Sequence, residues 1–284
     1  MSAPRFLLGA ALVWALAAGC AGLEPAPPAS LPAASEVLAR LRQRPLLASL
    51  RTLAQFELHF GAEGPAGLLG EELGRGGAYA GKAVLLWRAP SSLRLEPLSP
   101  LGAPVFVVVA RGSGLRAYVP GRGRFAEGGA DAQSMTRLFG VPIGSGLFVR
   151  LLQGGLPITD GVEPGQVSLA WDAEAGALRM ELPPGPGFER RQVVWLEPES
   201  LLPRAARVGE PGAETGVRFG PFRAWGGPRV PEWVEVTAPR GGTRMRLEIA
   251  SPPSPASVAF PDSVFDLPVP PGVRVVPLDG EVFR

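Results

Sequence analysis

The sequence predicts a mainly β protein of the α+β class, in which one large antiparallel sheet or open barrel carries a short helical insertion. Three observations lead to this fold class. Most of the chain consists of short apolar-rich segments separated by Gly, Pro and Ser turns, which is typical of antiparallel strands. One stretch in mid-chain has helical periodicity instead. The 284 residues are enough for one large β domain or two small ones, and they contain no fixed-period repeat.

The N-terminus has the pattern of a signal peptide that ends in a cysteine. Met1–Arg5 carries one arginine, and Phe6–Ala15 is an apolar run too short to cross a bilayer as a helix. Leu16–Cys20 reads Leu-Ala-Ala-Gly-Cys, which resembles a bacterial lipobox, and Cys20 is the only cysteine. The resemblance implies that residues 1–19 are removed and that Cys20 receives a diacylglyceryl group and an N-acyl chain such as palmitate. The alternatives are an ordinary secretory signal with a chance cysteine, or a transmembrane helix.

Acyl chains on Cys20 predict a protein anchored to a membrane, because each buried methylene contributes about 0.8 kcal/mol. Ala21, rather than aspartate, follows the cysteine. By the enteric sorting rule this implies the outer membrane, with the body facing the periplasm. Residues 20–34 are rich in proline and alanine, and we expect them to form a semi-extended tether. Residues 35–284 are expected to form the β domain, with a Pro-rich extension at the C-terminus.

Composition excludes several classes of function. The chain has 28 basic and 26 acidic side chains, so it has no electrostatic footprint for nucleic acid. With one histidine and one cysteine, neither a histidine-rich metal site nor a disulfide is expected. His59 alternates with apolar neighbours, which predicts an exposed strand residue. We expect a monomer that uses no metal and no cofactor.

After the tether, the apolar residues that follow Ser35 have helical spacing, which predicts a helix. Pro45 interrupts this pattern. Residues 46–53 are predicted to form a second short helical piece. From Ala54 the pattern changes to that of strands. Five are predicted in this part of the chain, at Gln55–Phe60, Lys82–Arg88, Leu93–Glu96, Pro104–Ala110 and Leu115–Val119. The run Val105–Ala110 is apolar throughout, so its strand is expected to be covered on both faces.

Two helices are predicted next. Asp131–Phe139 begins with a capping residue and ends at Gly140, and Ser145–Gln153 is rich in Leu and Phe and ends at residues 154–155. This insertion is expected to lie over a sheet. Strands then resume at Gln166–Trp171, Ala177–Leu182, Gln192–Glu197, Ala205–Val208, Thr215–Phe219, Trp233–Ala238 and Thr243–Ile249. Pro252–Pro271 is expected to be irregular and to wrap back over the body.

The motifs that could indicate an enzyme are incomplete. Gly76–Ala83 nearly matches a phosphate-binding loop, but Ala83 replaces the hydroxyl that binds magnesium, and a strand pattern follows where a helix is needed. A flexible glycine loop is expected there. Ser113 and Ser145 lie between glycines without the strand-to-helix turn of a serine nucleophile. No acidic pair stands out for glycoside cleavage. We therefore expect no catalytic residue.

Two stretches have an informative order of elements. Ser92–Ala110 contains a strand, a Pro-Leu-Gly loop and a second strand, and Trp87 precedes it. Gly123–Phe125 is followed by Asp131–Pro157, which contains a helix, a Gly-x-Pro break, a second helix and a Gly-Leu-Pro exit. Over residues 82–160 this order resembles the LolB-type outer-membrane lipoprotein receptors of the LolA/LolB-like superfamily. The resemblance implies an unclosed antiparallel barrel with helices as a lid over an apolar cavity.

The family cavity accepts the acyl chains of lipoproteins, so the resemblance assigns apolar side chains of these elements to its lining. The candidates for the sheet wall are Trp87, Leu93, Leu95, Phe106 and Val108. The candidates for the lid are Leu138, Phe139, Leu151 and Leu152. The alternative is that these side chains form a closed core.

Leu101 lies in Pro100-Leu101-Gly102, a turn between two predicted strands. In the family, the matching loop leucine protrudes and is needed to deliver lipoprotein into the membrane. The resemblance therefore implies that Leu101 enters the bilayer or touches cargo. The alternative is a turn leucine that folds back on the sheet.

The resemblance implies a periplasm-facing lipoprotein of the outer membrane that binds acyl chains and helps insert lipoproteins or lipids there. A periplasmic carrier protein would be the donor. The alternative is a structural or assembly lipoprotein that binds a protein partner and has no ligand cavity. A third possibility, an exported hydrolase, lacks a nucleophile and base pair. Residues after Glu197 have no clear counterpart in the family, and they either extend the sheet or form a separate small domain.

Overall fold

A computed structural model describes residues 27–61, 68–73, 77–156, 161–184, 191–210, 212–225, 227–238, 241–249 and 259–278. The predicted signal peptide, Cys20 and the first part of the tether lie outside these residues. The described helices are α1 (Ala34–Gln43), α2 (Leu68–Leu73), α3 (Ala132–Phe139) and α4 (Ser145–Leu152). In these ranges, no helix has the length and apolar character that a membrane span requires.

The same ranges contain sixteen strands. They are β1 (Ser49–His59), β2 (Ala78–Arg88), β3 (Ser92–Pro97), β4 (Val107–Arg111), β5 (Gly114–Val119), β6 (Arg124–Gly129), β7 (Ser168–Asp172), β8 (Ala177–Leu182), β9 (Gln192–Leu196), β10 (Pro203–Val208), β11 (Thr215–Phe219), β12 (Phe222–Ala224), β13 (Arg229–Pro231), β14 (Trp233–Ala238), β15 (Thr243–Ile249) and β16 (Arg274–Pro277).

Fourteen of these strands form one sheet, in the order β16-β6-β5-β4-β3-β2-β1-β15-β14-β11-β10-β9-β8-β7. Every neighbouring pair is antiparallel except β16 and β6, which are parallel. Strands β7 and β16 end the sheet and do not pair with each other, so the sheet is unclosed. The predicted fold class, a large antiparallel sheet with a helical insertion, is confirmed.

Strand β1 joins the two halves of the sheet. It pairs with β2 along its whole length, from Ser49 opposite Arg88 to His59 opposite Ala78. On its other side it pairs with β15, where Ala54 lies opposite Ile249. The residues after Glu197 therefore add strands to the same sheet. His59 is exposed on β1, as its alternation predicts.

The helices lie on one face of this sheet, which we call the inner face. Helix α4 contacts both β3 and β14, which lie four positions apart in the sheet, so it crosses several strands. Helix α3 contacts β6 and α2. Alternate residues of the strands point towards these helices and form one cluster of buried apolar side chains, as the period of two in a strand requires.

Strand β4 is buried on both faces, as its apolar run predicts. Val108 and Ala110 belong to the inner cluster, whereas Val107 and Val109 belong to a second cluster on the outer face. Phe265 and Leu267 also belong to the second cluster, together with Leu86 and Phe125. Phe265 and Leu267 belong to a segment at the end of the chain, residues 259–278, which we call the C-terminal strap.

Arginines of the outer face hold the strap in place. Arg88 pairs with Asp262, and its guanidinium lies 4.8 Å from the centre of the Phe260 ring. Arg94 donates to the carbonyl of Val264 at 2.9 Å. Strand β16 then pairs with β6, and the N–H of Leu278 donates to the Glu127 carbonyl at 2.7 Å. The prediction that the Pro-rich segment wraps back over the body is confirmed for its described part.

Two local predictions are wrong. Residues 46–53 are not helical, because β1 begins at Ser49 and Leu50 lies opposite Trp87 in the β1–β2 pair. The part of Gly76–Ala83 from Ala78 onward is not a flexible loop, because β2 begins at Ala78 and pairs there with β1. In both segments, pairing with a neighbouring strand decides the conformation, and this information is not local to the segment.

Candidate functional site

Leu101 lies at the tip of the hairpin that joins β3 to β4. The N–H of Gly102 donates to the Ser99 carbonyl at 2.8 Å, and the N–H of Ser99 donates to the Ala103 carbonyl at 2.7 Å. Gly102 has a φ of 82°, a left-handed conformation that costs glycine little. These bonds define a three-residue loop, Pro100–Gly102, whose backbone is fixed by its own hydrogen bonds.

The side chain of Leu101 points into solvent. Leu101 is 95% exposed, whereas Leu53, on the outer face of β1, is 53% exposed. The folded-back arrangement of a turn leucine is therefore not observed. Isolated exposed leucines are common on protein surfaces. Leu101 differs from them because a hydrogen-bonded hairpin holds it at its tip, where it has almost no contact with its own fold and contributes nothing to the core.

A groove of about 750 Å³ lies beside this hairpin. Its walls include Tyr79, the aliphatic residues Leu98 and Val105, and Lys82, which is the only lysine in the chain. The Tyr79 hydroxyl lies 2.8 Å from the Leu98 carbonyl oxygen, and burial raises the pKa of Tyr79. The hydroxyl donates to the base of the hairpin. The ring of Tyr79 packs 6.5 Å from that of Phe106, which connects the hairpin base to the core.

The structure brings together the nine side chains that the resemblance assigns to an acyl-chain cavity. All belong to the inner cluster, and none is more than 1% exposed. Sheet wall and lid touch directly, because the rings of Phe106 and Phe139 lie 6.3 Å apart at their centres. A side chain that lined an empty cavity with room for water would keep accessible area, and these keep almost none. The interior at these positions is therefore packed closed in this conformation.

The two lid helices have well-defined ends. The Asp131 carboxylate accepts from the N–H of Ser134 at 2.9 Å and caps α3, as predicted. Helix α4 ends in a Schellman motif, in which the N–H of Gly154 donates to Leu151 and the N–H of Gly155 donates to Arg150, both at 2.8 Å. Two features require a glycine at position 154. Its φ is 73°, in the left-handed region, and a Cβ there would clash with Phe222 and Pro231.

Polar contacts fasten the end of α4 to the chain between α1 and β1. The Gln153 side-chain amide donates to the Leu47 carbonyl at 2.7 Å, and Trp87 Nε1 lies 3.3 Å from the same oxygen. Arg44 donates to the carbonyl of Gly154. The end of α4 is thus held by two hydrogen bonds, from Gln153 and from Arg44, and the lid by apolar packing along its length.

Sequence reasoning missed Arg44 and Gln153. Both are polar residues among apolar ones, and neither belongs to a motif or a regular spacing. Arg44 precedes Pro45, which indicates only that a helix ends there. Their partners, Gly154 and Leu47, are about a hundred residues away in the sequence. A single sequence therefore offers no signal for either contact.

One solved structure is similar to this chain in fold at a TM-score above 0.5. No family model matches the chain, and no curated protein matches it. A solved structure of a DUF1329 family protein from Desulfovibrio piger is similar at a TM-score of 0.53 and 14% identity, covering 84% of this chain and 98% of that one. A LolA superfamily protein from Nitrosomonas europaea gives a TM-score of 0.48 and 11% identity, covering 83% of this chain and 98% of that one. At this identity the first similarity concerns the fold alone.

Proposed function

We propose that this chain is an envelope lipoprotein of the LolA/LolB-like kind, which binds acyl chains and helps insert lipoproteins or lipids into the outer membrane. Leu101 carries the proposal, because it is apolar, 95% exposed and held at the tip of a hydrogen-bonded hairpin. Inside a bilayer, or against an acyl chain, its side chain would leave water and contribute about 1.5–3 kcal/mol. The LolB-like order of elements over residues 82–160 supports the same assignment.

The inner face provides the binding surface in this proposal. Acyl chains exposed to water cost about 0.8 kcal/mol for each methylene, so a carrier must offer apolar surface of similar extent. The wall and lid side chains supply it once α3 and α4 move away from the sheet. Gly140 and Gly154, both left-handed, end the two helices and are the positions where the backbone would rotate. Acyl chains would then replace the contacts that wall and lid make with each other.

The anchor completes the proposal. Cys20 would carry the acyl chains, and the tether would let the body move relative to the membrane. In an extended polyproline conformation, the residues between Cys20 and α1 span roughly 40 Å, since each residue adds about 3.1 Å. This length would allow the Leu101 hairpin to reach the bilayer while the inner face receives cargo from a periplasmic donor protein.

One observation favours a second function, that of a structural or assembly lipoprotein that binds a protein partner. The nine predicted cavity residues are packed closed, as expected for a scaffold without a ligand cavity. In that case Leu101 would insert into a pocket of the partner rather than into a membrane.

The test compares two exposed leucines in the full chain. Leu101→Glu should reduce transfer of a fluorescent acylated peptide from detergent micelles to phosphatidylethanolamine–phosphatidylglycerol vesicles by about tenfold or more, because the insertion energy of one leucine is lost. Leu53→Glu changes an exposed leucine of β1 and should transfer at the wild-type rate. Equal transfer by all three proteins would contradict the membrane role. Loss in both variants would show only that added charge inhibits transfer.

A further inference from the structure

Two arginines meet where α1 and α4 end. Arg44 follows the last residue of α1, and Arg150 lies in the last turn of α4. The guanidinium of Arg44 donates to the Gly154 carbonyl and lies 5.5 Å from the centre of the Phe222 ring. These contacts fix its position beside Arg150. Two positive charges are thus held together at the end of a lid helix.

Each arginine has a buried N–H group without a partner. These groups are Nη1 of Arg44 and Nε of Arg150. Within the described residues, no carboxylate pairs with Arg44 or with Arg150. Burial and the nearby positive charge of Arg150 together lower the pKa of Arg44 to about 10. Buried charged donors without an acceptor are costly, so this arrangement calls for a compensating group.

A small cavity lies against both side chains. Its volume is about 20 Å³, which holds one water-sized group, since about 10–15 Å³ is the minimum. Its described walls contain Arg42, Arg44 and Arg150 and no acidic residue. Gly155 keeps the space available, because a Cβ there would lie 2.6 Å from Cγ of Arg150. The cavity is cationic and has room for one oxygen atom.

We propose that this cavity binds one oxygen of a carboxylate or phosphate group, with Nη1 of Arg44 and Nε of Arg150 as donors. A single negative charge would offset the repulsion between the two guanidinium groups, and charge-assisted hydrogen bonds are about twice as strong as neutral ones. A water molecule would fill the space and leave both charges uncompensated. The carbonyl end of α4 attracts cations, but Gly154 and Gly155 already donate to the carbonyls of Leu151 and Arg150.

The anionic group has two possible sources. It is either a free ion or the anionic end of an acylated molecule whose chains lie under the lid. The site requires only the oxyanion, so it does not depend on the proposed acyl-chain function. Inorganic phosphate tests the free ion. Dodecyl phosphate tests the acylated source, and dodecyl maltoside, with the same chain and no charge, is its control.

The experiment measures binding of each probe to the full chain by calorimetry, and thermal unfolding in buffers with and without phosphate. Arg150→Gln is the decisive variant, because Arg44 also holds the end of α4. It should weaken binding of phosphate or dodecyl phosphate at least tenfold. In anion-free buffer it should unfold at a higher temperature than wild type, because one of two repelling charges is removed. Arg40→Gln, an exposed position on α1, is the matched control and should bind as wild type does.

Binding of phosphate identifies a free-ion site, and binding of dodecyl phosphate alone identifies a head-group site. Either result supports the proposal if Arg150→Gln abolishes it. The proposal is overturned if neither probe binds, if dodecyl maltoside binds as tightly as dodecyl phosphate, or if Arg150→Gln binds like wild type. Leu101→Glu should leave phosphate binding unchanged, so failure here is distinguishable from failure of the membrane role.

Discussion

Leu101 and Phe106 are apolar residues five positions apart, and the fold treats them in opposite ways. Phe106 is fully buried between the sheet and the lid, whereas Leu101 is 95% exposed at the hairpin tip. Removing Phe106 would affect the stability of the whole domain, but removing Leu101 would affect only what the hairpin touches. A residue that the fold does not need is better evidence of function than a residue that the fold needs.

The same contrast limits what the nine buried candidates can show. Each is already explained by its place in a core that is packed closed in this conformation, so its burial gives no evidence of a binding role. Their role in binding acyl chains depends on movement of α3 and α4. The exposed leucine requires no such movement, and this is why the proposed function begins with it.

The largest effect on stability is expected at the contact between wall and lid. Phe106→Ala should lower the free energy of unfolding by about 3–5 kcal/mol, since it removes a fully buried ring that packs against Phe56, Tyr79 and Phe139. Urea denaturation followed by circular dichroism measures this loss. A decrease of less than about 1 kcal/mol in the free energy of unfolding would show that the Phe106 ring contributes little to packing, and would favour a true cavity.

A smaller effect is expected at the lid itself. Asp131→Ala removes the cap of α3 and should cost about 1 kcal/mol, because the N–H of Ser134 loses its acceptor. Faster amide exchange should be confined to α3, and Asp131→Asn should preserve most of the stability. Exchange that also rises throughout β3 and β4 would mean that lid and wall open together rather than separately.

Acid should weaken the half of the sheet that is far from Leu101. The hydrogen bond from Arg191 lowers the pKa of Glu181, and the hydrogen bond from Trp195 lowers that of Asp172. Both carboxylates therefore stabilise the fold above their ordinary pKa values, near 4, and this contribution disappears as the pH falls through the lowered values. Glu181→Gln should flatten the loss of stability below pH 4.5 in a series of denaturation curves. If the loss of stability below pH 4.5 is the same in Glu181→Gln as in the wild type, this assignment is contradicted.

The smallest effect on stability is expected at the hairpin tip. Leu101→Ala should change the free energy of unfolding by no more than about 0.5 kcal/mol, because the side chain makes almost no contact with the fold. The melting temperature of the full chain, compared with that of Leu53→Ala, measures it. A loss of several degrees at Leu101 would indicate that the leucine has a structural contact after all.

The sequence is sufficient for most of the strands, for the two lid helices and for the turn at Leu101, because these depend on local patterns. It predicts no strand at β6, β12, β13 or β16. Asp131 and Gly140 mark the ends of α3 by their own chemistry, and the apolar run through Val108 indicates burial on both faces. Residues 46–53 were misassigned because their conformation depends on pairing with β2, which is distant in sequence.

The tertiary contacts of the site could not be predicted in the same way. The resemblance placed the nine apolar residues on wall and lid, but whether they enclose space depends on how closely the two surfaces approach. Arg44 contacts Gly154, which is more than a hundred residues away in the sequence, and no periodic pattern in the sequence indicates such a contact. Polar side chains that fasten the lid are therefore visible only in the folded chain.

The most direct test of the account is native mass spectrometry of the full chain purified from envelope membranes. We predict a population that carries one acylated molecule in addition to the mass of its own anchor. Release of that molecule to phospholipid vesicles should be slower in Leu101→Glu than in Leu53→Glu. A protein that carries nothing beyond its anchor, and that takes up no acylated molecule when one is supplied, would contradict acyl-chain binding and leave a tethered scaffold.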